Sequence, residues 1–265
     1  MNRFFFITFF LLLHTWDMNA QKTEKEPSSS MDLFLCIGQS NMAGRASLSP
    51  ELMDTLQNVY LLNDSGYFEP AVNPLNRYST IRKTLSMQRL GPSYSFAKEM
   101  ARKTSHRIGL VVNARGESSI KAWLKGSPEG YYEEALKRIR TAMQQGGRLR
   151  AILWHQGEAD SKFPESYRTR LISLVQSFRE DLGMPDLPFI FGEISQWGEW
   201  TKREQGTKEF NKMLKEMARS IPHSACVSSK GADMYKNEFD PHFGTQGQLL
   251  IGKRYAREVL KQVAM

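Results

Sequence analysis

The chain has 265 residues, of which 40% are hydrophobic and 24% charged, so it can bury a sizeable core and is not a disordered or low-complexity protein. Its 36 Lys and Arg against 28 Asp and Glu give a net charge of +8. The basic residues are scattered without a dense run, which argues against a nucleic-acid partner and favours a solvated basic surface.

A secretory signal peptide is predicted for residues 1–20, where Arg3 precedes an apolar stretch at 4–13 (FFFITFFLLL) and Ala20 offers a small residue for cleavage. Residues 21–30 (QKTEKEPSSS) are typical of a flexible tether, and 31–265 are expected to form a single domain. No later segment approaches the roughly 20 apolar residues that a membrane helix needs. We therefore expect a secreted or periplasmic protein with no membrane contact after the signal is removed.

Short apolar runs alternate with helical patterns from residue 32 onward, which predicts an α/β fold with a parallel sheet. Five strands are predicted, at 33–37, 59–62, 108–113, 151–155 and 189–194, and a last helix at about 246–263. Apolar residues at helical spacing mark two further helices, around 132–143 and 167–182. The two cysteines, Cys36 and Cys226, lie in apolar runs, and buried free thiols are favoured over a bridge.

Polar residues cluster where the predicted strands end, which is the edge at which open parallel sheets bind their ligands. The four segments are 38–44 (GQSNMAG), 113–120 (NARGESSI), 154–160 (WHQGEAD) and, before the last helix, 240–244 (DPHFG). A serine at a strand-to-helix turn, with a histidine and an acid elsewhere, indicates acyl transfer. The α/β-hydrolase elbow fits poorly because Met42 stands where G-x-S-x-G needs glycine, and no phosphate-binding glycine motif follows the first strand.

In these four segments the sequence resembles the SGNH-type esterases, and within them the sialate O-acetylesterase and acetylxylan esterase branch, carbohydrate esterase family 6. The resemblance covers nearly the whole of the chain after residue 30, in the expected order. It implies a flavodoxin-like α/β/α sandwich, here with a five-stranded, mostly parallel sheet. It also implies that the protein needs no metal or other cofactor and that its substrate is an acetylated carbohydrate, from which acetyl groups are removed.

The resemblance implies a role for each matching residue. Ser40 matches the nucleophile, and its N–H is expected to share an oxyanion hole with the N–H of Gly116 and the side-chain amide of Gln156. Taken alone, Ser40 is equally typical of a helix cap and Gly116 of an ordinary turn. The chain departs from the family at Glu117, where a second glycine is usual, and we expect that carboxylate to point away from the hole.

His242 is the candidate general base, because Pro241 favours an extended Asp240, and residues two apart in extended chain project to the same side. The family more commonly spaces this pair as Asp-x-x-His, so Glu158 is kept as a reserve acid. A metal site built from His155, Glu158 and Asp160 is disfavoured because their spacing matches no recognised ligand set.

Sugar-binding residues are predicted near the same edge: aromatic platforms at Trp123, Trp197 and Trp200, and cations at Arg115, Lys202 and Arg203. The expected protein is a serine carbohydrate O-acetylesterase acting through an acetyl-enzyme on sialic acid or xylan-type glycans. Two alternatives stay open. One is a lipid or thioester hydrolase of the same superfamily, and the other is a catalytically silent glycan-binding module.

Overall fold

The structure, a computed structural model, describes residue 1 and residues 31–104, 106–197 and 207–263. The predicted signal cleavage site and tether lie outside the described residues, as do Trp200, Lys202 and Arg203. The strands are β1 (Met31–Gly38), β2 (Val59–Leu62), β3 (Phe68–Pro70), β4 (Arg107–Val112), β5 (Arg148–His155), β6 (Phe189–Gly192) and β7 (Ser224–Val227). The helices are α1 (Ser40–Ala43), α2 (Ser93–Lys103), α3 (Tyr131–Gln144), α4 (Pro164–Leu182), α5 (Thr207–Ser220) and α6 (Thr245–Gln262), with 3₁₀ turns at Pro50–Leu52, Leu85–Met87 and Ile120–Trp123.

The central sheet has seven strands in the order β3-β2-β4-β1-β5-β6-β7, not the five that were predicted. The five predicted strands are all present, with ends that shift by up to three residues. The two missed strands are the edges of the sheet. β3 has only three residues, ends in Pro70 and pairs antiparallel with β2, while β7 is a four-residue strand with three half-buried positions. Short edge strands bury only part of their side chains, so the sequence lacks the continuous apolar run that marks a central strand.

Helices cover both faces of the sheet, as predicted for an α/β/α sandwich. Leu33, Leu35 and Ile37 of β1 pack with residues of α3, α4 and α5 on one face. Phe34 and Cys36 point to the other face and pack with residues of α2 and α6. Every residue of β1 is buried because alternate side chains enter two separate cores. β1 is therefore the middle strand of the sheet and is buried on both faces.

Both cysteines are free thiols, as expected, and burial raises the pKa of Cys36 to about 12. Among the described residues, no helix combines the length and the hydropathy that crossing a bilayer requires.

Candidate active site

Three of the four polar segments converge because their strands are neighbours. β1 lies between β4 and β5 and runs parallel to both, so the residues that come after these strands meet at one edge of the sheet. The fourth segment arrives with the loop that joins β7 to α6. The sheet thus brings together residues that lie far apart in the chain.

The turn after β1 depends on Gly38. Its φ of 133° lies in a region that side chains disfavour, and a Cβ there would collide with the carbonyl oxygen of His155. The next residue, Gln39, donates its N–H to that same oxygen at 2.8 Å. Glycine therefore lets β1 pass close to β5 and turn at once, so that Ser40 opens α1.

Ser40, His242 and Asp240 form a continuous hydrogen-bonded chain. His242 Nε2 lies 2.9 Å from Ser40 Oγ, and His242 Nδ1 lies 2.6 Å from Asp240 Oδ1. Because an ionised carboxylate only accepts hydrogen bonds, the imidazole proton belongs on Nδ1, which leaves the Nε2 lone pair facing the serine hydroxyl. Burial lowers the pKa of His242 below its usual value, although the Asp240 carboxylate opposes that shift. The imidazole is then neutral at pH 7 and able to take a proton.

The Asp-x-His spacing works because the backbone between the two residues is tied down. Asp240 Oδ1 also accepts the N–H of His242 at 2.9 Å, so one carboxylate oxygen holds both the backbone and the ring of the histidine. Trp197 Nε1 donates to the Asp240 carbonyl at 3.0 Å and its ring packs on Phe243. Trp197 therefore supports the backbone of Asp240. Its indole N–H and the part of its ring that packs on Phe243 are not available to a sugar.

Gly116 lies close to Ser40. A Cβ placed on Gly116 would be 3.7 Å from the Cβ of Ser40. Among the described residues, the N–H groups of Ser40 and Gly116 have no backbone acceptor. A pair of unused donors next to a serine hydroxyl is the arrangement that stabilises a developing oxyanion.

Arg45 also lies beside Gly116, and the sequence did not single it out. Its Nη1 donates to the carbonyls of Gly44 at 2.8 Å and Met87 at 3.1 Å, and a Cβ on Gly116 would collide with its Nη2. The side chain is only 9% exposed, and its charge contributes to lowering the pKa of His242. Its position directly after the first polar segment, five residues after Ser40, was the available signal.

Glu117 points away from the site, as expected. Its carboxylate forms an ion pair with Lys83 and is 74% exposed. The backbone φ of 61° places Glu117 in the left-handed region that glycine tolerates best. The resembled family usually has glycine at this position, and glycine adopts a positive φ without strain. Glu117 adopts the same φ at some cost in backbone strain.

Gln156 does not stand free to complete the oxyanion hole, which corrects the role predicted for its side chain. Its Nε2 faces Asp160 Oδ2 at 2.6 Å, the Ser118 carbonyl at 2.9 Å and Gln39 Oε1 at 3.1 Å. An amide has two hydrogens, and three protein acceptors already share them. Gln156 instead ties β5 to the segments after β1 and β4.

Glu158, the reserve acid, contacts Asn41 rather than His242. Asn41 Nδ2 donates to Glu158 Oε1 at 2.5 Å, and both side chains are buried. Burial raises the pKa of Glu158 to about 7; the hydrogen bond from Asn41 opposes this shift and the charge of Asp160 adds to it. Asn41 was not singled out from the sequence, although it stands beside Ser40 in the first segment.

The remaining predicted residues have mixed outcomes. Trp123 is fully buried, donates Nε1 to Ser118 Oγ at 3.0 Å and packs edge-to-face on Trp154, so its prediction as a sugar platform is wrong. Arg115 is half-buried and donates Nη1 to the Ile81 carbonyl at 3.0 Å. His155 is fully buried beside Tyr255, and burial lowers its pKa to about 3. No group of three or more potential metal ligands occurs among the described residues.

Comparisons with known proteins agree with the geometry. A family model described as carbohydrate esterase, sialic acid-specific acetylesterase, matches residues 30–261. The probable carbohydrate esterase At4g34215 of Arabidopsis thaliana is 28% identical over 257 residues, which cover 89% of this chain and 93% of the relative. The X-ray structure of that Arabidopsis protein superimposes with a TM-score of 0.77 at 26% identity, covering 89% of this chain and 100% of the other.

Two more distant structures share the fold. The crystal structure of NanS has a TM-score of 0.66 at 15% identity and covers 88% of this chain and 97% of that one. XAC1771, a carbohydrate acetylesterase from Xanthomonas citri, has a TM-score of 0.57 at 19% identity, covering 87% of this chain and 56% of that one.

Proposed function

This chain belongs to the carbohydrate esterase family of sialic acid-specific acetylesterases, within the SGNH-type group, and from that membership we propose that it is a serine O-acetylesterase acting on acetylated carbohydrates. The observation that carries the serine mechanism is the continuous contact from Asp240 through His242 to Ser40, with distances of 2.6 and 2.9 Å. Such a chain gives a serine hydroxyl the base that it needs to act as a nucleophile.

The proposed reaction has two halves. His242 Nε2 takes the Ser40 proton as Oγ attacks the acetyl carbonyl carbon, and the N–H groups of Ser40 and Gly116 hold the resulting oxyanion. The carbon–oxygen bond to the sugar then breaks, and the imidazolium returns the proton to the leaving sugar oxygen. In the second half the same imidazole takes a proton from a water molecule as the water oxygen attacks the acetyl-Ser40 carbonyl carbon. The bond from that carbon to Ser40 Oγ then breaks, the imidazolium returns the proton to Oγ, and acetate leaves.

The test is acetate release from a panel of acetylated xylans and O-acetylated sialic acids, with Ser40→Ala as the matched variant. We expect the parent to release acetate from at least one member, and Ser40→Ala to lose that activity with an unchanged circular dichroism spectrum. Ser40→Ala within about tenfold of the parent would contradict the proposal. Turnover of long acyl esters or thioesters alone would favour a lipid or thioester hydrolase. Glycan binding without turnover would favour a silent module.

We also propose that residues 31–265 act as one catalytic domain and that the protein is exported. The proposed site draws on residues from Ser40 to His242, and thus on both ends of this region. Export is supported by the signal-like sequence of residues 1–20.

A further inference from the structure

The side chain of Asn41 bridges the peptide groups on both sides of His242. Its Nδ2 donates to the Pro241 carbonyl at 3.1 Å, and its Oδ1 accepts the Phe243 N–H at 3.1 Å. The residue before the histidine and the residue after it are thus both held by one amide. Asn41 comes directly after Ser40 in α1, so this amide links the histidine loop to the serine turn.

The loop that carries His242 needs such a link. It is irregular from the end of β7 to the start of α6, and it is tied to itself by the bonds from Tyr235 N–H to the His242 carbonyl and from Gly244 N–H to the Asp233 carbonyl. These bonds fix the shape of the loop but not its distance from α1. Trp197 also holds the loop, through the Asp240 carbonyl, but Trp197 is not part of α1. The two bonds of Asn41 join the loop directly to α1.

Asn41 is in turn oriented by Glu158. The second hydrogen of Nδ2 goes to Glu158 Oε1 at 2.5 Å, and Oδ1 also faces Gln248 Nε2 at 3.4 Å. Asn41 is fully buried, and Glu158 Oε2 is buried without a partner among the described residues. An amide with all four bonding directions occupied has one orientation, and a carboxylate at Nδ2 excludes the flipped one, which would set two acceptors against each other.

We propose that Asn41, oriented by Glu158, is a positioning residue that fixes His242 within reach of Ser40. The inference rests on the acetylesterase function proposed above, because it concerns the base of that reaction. Neither side chain touches the reacting atoms. Asn41 acts by holding the histidine loop, and Glu158 acts only through Asn41. Misplacement of a catalytic group by about 1 Å can cost about 10²-fold in rate, which sets the size of the expected effect.

The experiment compares Asn41→Ala, Glu158→Ala, Glu158→Gln and the double variant Asn41→Ala/Glu158→Ala with the parent enzyme. For Asn41→Ala we expect kcat on a small neutral acetyl ester to fall about 10²-fold with little change in KM, because the imidazole does not bind the ground-state substrate. Glu158→Ala should fall by a similar factor. Glu158→Gln should stay near the parent, because its side-chain oxygen can still accept from Asn41. The double variant should be no worse than Asn41→Ala alone.

Two further readouts separate positioning from a loss of stability. The rate at which a fluorophosphonate labels Ser40 should fall with kcat. The pKa of His242, followed by NMR, should rise in Asn41→Ala toward its usual value, because a released loop exposes the imidazole to water. Asn211→Ala is the matched control. Asn211 is also a buried amide, and it bonds both the N–H and the carbonyl of Ile194 at 3.0 Å. Asn211→Ala should therefore lower the stability of the protein without changing kcat or the pKa of His242.

The outcomes distinguish the two proposals. If the parent neither turns over acetyl esters nor reacts with the fluorophosphonate, the proposed function fails. The positioning role of Asn41 is then judged by the pKa of His242 alone. If the parent is active but Asn41→Ala labels and turns over at the rate of Asn211→Ala, the positioning role is overturned. Additive losses in the double variant would overturn the action of Glu158 through Asn41. A loss in Glu158→Gln as large as in Asn41→Ala would do the same.

Discussion

At the scale of single residues, the two acids near His242, the half-buried Asp240 and the buried Glu158, have different partners. Asp240 binds the ring and the backbone N–H of the histidine, whereas Glu158 binds Asn41. We therefore predict that Asp240→Asn lowers kcat by about 10⁴, the size of the loss in the serine-protease triad, because an amide there favours the wrong tautomer of the imidazole. Glu158→Gln should cost far less. Steady-state kinetics on one acetyl ester gives the ranking, and the reverse order would transfer the role to Glu158.

A second prediction at this scale concerns Arg45 and the pH dependence of kcat/KM. Its positive charge disfavours the imidazolium and helps to lower the pKa of His242. Arg45→Met should therefore raise that pKa, so that the histidine stays protonated to higher pH. The acid limb of kcat/KM should move to higher pH accordingly. The measurement is the pH profile of the parent and the variant, with Lys98→Met on the outer part of α2 as the control. An unmoved acid limb in Arg45→Met would contradict the prediction.

The sequence was informative about residues whose role depends on local geometry. Asp240 and His242, two apart in the chain with Pro241 between them, do meet as the sequence predicts. It was less informative about Asn41, Arg45 and Gln156, whose partners are mainly groups from distant segments. A buried amide or guanidinium donates to whichever carbonyl the fold brings near it. The spacing of residues in the sequence does not predict which carbonyl that is.

At the scale of elements, Asp160 connects the segment after β5 to the segment after β4. Its Oδ1 accepts from Ser119 Oγ at 2.7 Å, and its Oδ2 accepts from the Ile120 N–H at 2.8 Å and from Gln156 Nε2. It thereby fixes the 3₁₀ turn that comes after Gly116.

The two strands that the sequence did not predict, β3 and β7, also belong to the scale of elements. Both strands lie at the edges of the sheet, where the apolar sequence pattern that marks a buried strand is weakest.

We predict that Asp160→Ala destabilises the fold, because the Ile120 N–H loses its acceptor and the Gln156 amide loses the nearest of its three acceptors. Each buried donor left unpaired costs about 1–3 kcal/mol. Urea unfolding measures the change, with the exposed Asp186→Ala as the control variant. Since Gly116 lies just before this turn, the variant should also lose kcat. A midpoint equal to that of the parent would show that water replaces the lost bonds.

At the scale of the whole molecule, the N-terminal sequence predicts processing on export. Expressed with residues 1–20 in place, the protein should be recovered outside the cytoplasm with an N-terminus near Gln21. Removal of residues 1–20 takes away Arg3 and Asp17 together, so the net charge stays at +8. Mass spectrometry of the recovered protein measures the cleavage point. A variant with Leu12→Arg, which breaks the apolar run, should remain inside unprocessed. Recovery of the parent outside with Met1 intact would refute cleavage.

The placement of Ser40 and His242 near opposite ends of the domain's sequence has a consequence for synthesis. They stand 202 residues apart, yet touch at 2.9 Å. At about 5–20 residues per second, the histidine leaves the ribosome roughly 10–40 s after the serine. Until then the growing chain carries a serine without a base, and its hydroxyl is no more reactive than that of any other serine. On the proposed serine mechanism, the protein is therefore inactive through most of its own translation.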